Sequence, residues 1–107
     1  MTIVPAARFE DAVTQGGREE IRRRVTDFVA ACGVQSSDQE QIARTLTAVL
    51  DAASGHAPRG DDVRIAVIAD VMPSDVQLVL RLCPDGEPCD EGERIGGFEL
   101  WISFPRD

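Results

Sequence analysis

Lysine is missing altogether: all eleven basic residues are arginine, set against nineteen aspartates and glutamates for a net charge of −8. Counterion release on nucleic acid or anionic lipid needs clustered cations, so neither is an expected partner. No run approaches the ~20 apolar residues of a membrane span. Met1-Thr2-Ile3-Val4-Pro5 also lacks the charged-then-apolar order of a signal peptide. Histidine occurs once, at His56, which removes any His–His metal pair or histidine relay. Cysteine occurs three times, an odd number that argues against a secreted disulfide framework, so a reduced, cytoplasmic setting is the expectation.

Motifs of catalysis are missing too. There is no G-x-S-x-G, H-E-x-x-H, Walker A or G-x-G-x-x-G. Cys83 and Cys89 lie six apart around a turn, not at the two-to-four spacing of a zinc pair, and only Cys32 and His56 remain to complete a set. No metal site is expected. Asp85, Glu87, Asp90, Glu91 and Glu93 crowd one loop without EF-hand spacing and read as a solvated acidic surface.

What is present is a 107-residue chain, 43% hydrophobic and 28% charged, enough for a single domain over residues 1–107. Residues 3–9 read as a short strand or arm weakened by Pro5, which Gly16-Gly17 divides from a helix over about 18–32. In that helix Ile21, Val25, Phe28, Val29 and Cys32 make one apolar stripe, and Gly33 follows as a stop. A second helix begins at Ser36-Ser37-Asp38, where Ser37 and Glu40 form an S-x-x-E capping box. Ile42, Leu46, Val49, Leu50 and Ala53 carry its stripe to about residue 54.

The period then falls to two. Residues 63–68, 76–82 and 98–104 alternate as three strands with one apolar face each, and the loop 71–75 is short enough to join the first two as a hairpin. The order β-α-α-β-β-β implies an α+β, two-layer sandwich, two helices on an antiparallel or mixed sheet. Trp101 falls on the outer side of the last strand; left exposed there, it marks a contact surface.

Arg18, Arg22, Arg23 and Arg24 gather on the first helix, the one basic face of an acidic chain. Glu19 and Glu20 stand within i+3 and i+4 of several of them, so a charge ladder inside the helix is the plain alternative to a docking face for an acidic partner.

The layout resembles the GHKL ATPase fold, most closely the anti-sigma-factor serine kinases and switch kinases of bacterial stress-response partner switching. The likeness runs from Gly33-Val34 through Ile42-Ala43 to His56 and Gly60, then through residues 63–69, 76–82 and Gly96-Gly97-Phe98-Glu99-Leu100. In such kinases the second helix carries Glu-x-x-x-Asn, often with His four residues later, as general base and Mg²⁺ ligand. Aligned on His56, those places hold Ala48 and Ala52, and neither alanine can accept a proton or bind a metal. Asp51 is off-register for both roles. Where the family has Asp-x-Gly-x-Gly for the adenine, this chain has Cys83-Pro84-Asp85-Gly86-Glu87, and only about ten residues precede the closing strand, so the glycine-rich lid is missing.

The resemblance therefore implies the fold with a degenerate nucleotide pocket (Ala48, Ala52, His56, Asp85, Gly86), no catalytic residues and no cofactor. It implies a pseudokinase-like interaction module whose partner is a sigma factor, an antagonist or a kinase-type regulator, with a homodimer as a further option. Arg18, Arg22 and Arg23 would be its polar contacts. The alternatives are a residual Mg·ATP-binding serine kinase, which would lean on Asp51 and Asp85, and a phosphotransfer adaptor using His56.

Overall fold

Three long stretches of alternating apolar residues pair side by side and set the architecture. A computed structural model describes residues 5–56, 63–84 and 99–106. Its elements in order are β1 (Ala6–Ala12), α1 (Gln15–Ala31), α2 (Ser36–His56), β2 (Val63–Val71), β3 (Asp75–Pro84) and β4 (Glu99–Pro105). The four strands form one sheet in the order β1-β2-β3-β4, antiparallel at every junction. The chain is thus α+β, two helices on an antiparallel sheet; of the two sheet types expected, the antiparallel one is found.

Register explains which side the helices cover. Phe9, Val67, Leu80 and Leu100 form one row across all four strands, and Ala7, Ala69, Leu78 and Ile102 the next. Those rows pack against Ile21, Val25 and Val29 of α1 and Ile42, Leu46, Leu50 and Ala53 of α2 in a single core cluster. Each buried aliphatic contributes roughly 1.5–3 kcal/mol from apolar burial, so two helical stripes and the sheet rows fix the layers. Phe9 and Phe28 meet edge to face at 5.9 Å, which ties β1 under α1.

The boundaries depart from the sequence reading in instructive ways. β1 extends to Ala12 rather than ending at residue 9, because an edge strand tolerates the half-buried polar Glu10 and Asp11. Pro5 cannot donate, yet its carbonyl still accepts from Val71 N–H at 2.9 Å. α1 starts at Gln15, three residues before expectation. Thr14 caps it, its Oγ1 accepting from Gly17 N–H at 3.2 Å. Gly16-Gly17 is therefore the first turn of the helix and not a break before it. A Cβ on Gly17 would stand 2.1 Å from the Ala12 carbonyl oxygen, so glycine is what lets α1 close on the end of β1.

The stop at Gly33 is found where expected. Gly33 sits at φ +85°, Gly33 N–H bonds the Ala30 carbonyl and Val34 N–H bonds the Val29 carbonyl, both at 3.1 Å. This is the Schellman pairing, with buried Val34 and Val29 in the core. The capping box is corrected: α2 begins at Ser36, so Ser37 lies inside the first turn and not before it. Gln39 stands there instead, its amide donating to the Val34 carbonyl at 2.7 Å and its N–H to Gln35 O at 2.9 Å. No described helix is long and apolar enough to cross a membrane.

Candidate functional site

Four arginines on consecutive turns of α1 meet different fates. Arg23 donates from Nε to Glu20 at 3.2 Å and from Nη1 to Asp27 at 3.3 Å. Arg24 donates to the same Glu20 at 3.0 Å. These are the i+3 and i+4 pairs of an exposed ladder. Glu20's carboxyl is held below the usual glutamate value, first by the Arg23 hydrogen bond, while burial pushes the other way. Arg23 is raised in return, chiefly by its bond to Glu20. Of the three arginines taken as partner contacts, Arg23 is thus committed within its own helix.

Arg18 reaches backward and across. Its Nη1 donates to the Val13 carbonyl at 2.6 Å, pinning the guanidinium to the end of β1. Its Nε lies 3.3 Å from Asp51 Oδ1 on α2. That contact is an ion pair without a hydrogen bond: the buried Nε has no hydrogen-bond acceptor among the described residues. Asp51's side chain is 65% exposed against 21% for Arg18, so the pair is anchored on the arginine side and loose on the aspartate side.

Arg22 makes no ion pair or side-chain hydrogen bond among the described residues, the one α1 arginine of which this is true. It stands between two depressions. One, of about 550 Å³, runs between the helices and is lined by Gln15, Arg18, Glu19, Arg22, Thr47, Leu50 and Asp51. The other, of about 380 Å³, lies along the outer side of α1. The first has an apolar floor in Leu50, hydrogen-bonding walls in Gln15 and Thr47, and two cations one helical turn apart. Glu19 and Asp51 line the same groove, so its two arginines stand beside two carboxylates.

The other residues singled out from the sequence lie elsewhere. Ala48 and Ala52 are exposed on α2 and do not line the groove. His56 is the last residue of α2, and its side chain lies outside the described residues, as do Asp85 and Gly86. The side chain of Cys83 and all of Cys89 lie outside them too, while Cys32 is a partly buried free thiol at the end of α1. Asp51 was read only against a kinase role; its place opposite Arg18 depends on how two helices dock, which no local motif encodes.

The far face of the sheet offers a second surface. Trp101 is 64% exposed and in register with Val79, Ile68 and Arg8. Its indole N–H donates to Glu99 Oε1 at 2.9 Å, and Glu99 Oε2 accepts from Arg81 Nε at 2.7 Å. Arg81 is 7% exposed, a charge buried on the face turned away from the helices. This pair went unseen in the sequence, where 18 residues separate its members.

No family model matches the chain, and no curated protein matches it.

Proposed function

We propose that this chain is a non-enzymatic protein–protein interaction module of bacterial regulation, docking an acidic partner on the α1 side of its helical layer. The observation that carries the reading is Arg22, a half-buried cation without a carboxylate partner among the described residues, on a chain of net charge −8. Ion pairs form readily on so acidic a surface, and three of the four α1 arginines have them. A cation left over beside a groove is available to another molecule. The degenerate GHKL relationship belongs to the same proposal. Supporting it are the element order, two helices on a sheet, and the exposed alanines at positions 48 and 52, which have no side-chain oxygen for Mg²⁺.

The test is charge reversal. Arg22→Glu is expected to abolish co-purification of the partner from the native host while leaving the Tm near wild type, and Arg23→Gln to change capture little. Full retention by the Arg22→Glu protein would sink the reading. The kinase alternative makes an opposite demand: titration with Mg·ATP to millimolar concentration is expected to raise neither Tm nor heat, and saturable micromolar binding would replace this proposal with it.

A further inference from the structure

Asp51 sits where a partner's carboxylate would go. We infer that it is a built-in competitor, and that docking exchanges the intramolecular Asp51–Arg18 contact for two neighbouring carboxylates of the partner protein, one on Arg18 and one on Arg22. This deepens the reading above and rests on it.

Three features of the groove carry the inference. Arg18 is preorganised: its Nη1 is tied to the Val13 carbonyl and most of its side chain is buried, so little freedom remains to be lost on binding. Asp51 is poorly engaged: it lies within ion-pair distance of Nε yet accepts no hydrogen bond from it, and it is largely solvated. An exposed pair of that kind contributes little, so withdrawal of Asp51 costs little. Finally, Arg22 one turn further along α1, beside Glu19, adds a second guanidinium, giving a span that one carboxylate on Arg18 and a neighbouring one on Arg22 can fill. The occupant fitted by this geometry is an acidic helix presenting glutamates at i and i+4, with apolar contact to Leu50 between them.

A direct probe is an alanine-based helical peptide bearing one such glutamate pair, with the glutamine version as its control. Binding is read by fluorescence anisotropy and by the side-chain Nε–Hε resonances of Arg18 and Arg22. Asp51→Asn is expected to bind the glutamate peptide several-fold tighter than wild type, and Arg22→Gln to lose it. The glutamine peptide is expected to bind neither. Because Asp51→Asn also relieves one unit of negative charge, Glu40→Gln, exposed at the start of α2, is the matched control and is expected to show no gain. Equal affinity of wild type and Asp51→Asn, or an equal gain in Glu40→Gln, overturns the competitor role. So does the absence of peptide binding to Asp51→Asn. The two proposals fail separately. Partner capture that needs Arg22 but ignores Asp51 removes only the competitor, whereas capture indifferent to Arg22 removes the docking face as well.

Discussion

Two ion-pair systems in this protein use the same chemistry in opposite surroundings. On α1, Glu20 joins Arg23 and Arg24 with side chains between one third and three fifths exposed; on the sheet, Arg81 joins Glu99 with 8% and 13% exposed. The exposed ladder is screened by water and salt, and its members can exchange partners at small cost. The sheet pair cannot, since removing one member leaves the other charged in a poorly solvated place. The ladder's pairs are thus exchangeable, while the sheet's pair is fixed in place. The contrast also separates Trp101 from the α1 groove. The indole is anchored to Glu99, and through it to a residue whose disturbance would unsettle β3 and β4.

The sharpest way to break the comparison is Glu99→Ala. Arg81 loses a 2.7 Å charge-assisted bond, and a loss of about 3 kcal/mol is expected by urea denaturation, a Tm fall of roughly 13 °C. Arg81→Met together with Glu99→Leu should recover part of that loss, because apolar replacements leave no buried charge to desolvate. A Glu99→Ala protein as stable as wild type would show the sheet pair to be as dispensable as the ladder.

Next in size is Gly17→Ala, which tests the joint that holds α1, and hence the groove, against β1. The added Cβ collides with backbone at Ala12 rather than with a yielding side chain, so roughly 1–3 kcal/mol of destabilisation is expected. Gly16→Ala meets nothing within 4 Å and is expected to be neutral or to stabilise by up to about 1 kcal/mol. Identical denaturation midpoints for the two variants would mean that α1 does not dock where the Ala12 contact puts it.

Legibility from sequence followed the range of the interaction. The apolar stripes of both helices, Gly33 as a stop, and the alternating strands were readable because each is a periodic or local signal; Ile42, Leu46, Leu50 and Ala53 are all buried. Local signals misled where tertiary packing overrode them. Gly16-Gly17 reads as a breaker yet serves as a close-packed first turn, and Ser37 reads as a cap yet lies one residue inside its helix. The arginine cluster was visible, but its division into committed and available members was not. Arg18's part in it turns on Asp51, 33 positions away, just as the Arg81–Glu99 pair turns on the register of β3 against β4.

The smallest expected effect concerns pH and isolates the ladder from everything else. Glu20's carboxyl has a lower pKa in the folded chain than in the unfolded one, chiefly because Arg23 hydrogen-bonds its charged form. The unfolded chain therefore takes up the proton first as pH falls. Any stability from the ladder is fully present above the ordinary glutamate range and is lost as pH drops through the lower, folded-state value. Arg23, raised by the same bond, stays charged throughout that window and adds nothing to it. Urea midpoints of wild type and Glu20→Gln are thus expected to differ slightly at neutral pH and to converge in acid, with the neutral-pH gap closing again in 1 M salt. A gap that persists in acid or in salt would mean that Glu20 acts through packing and not through charge. The ladder would then no longer be the exchangeable half of the comparison, and Arg23 and Arg24 would be as fixed in place as Arg81.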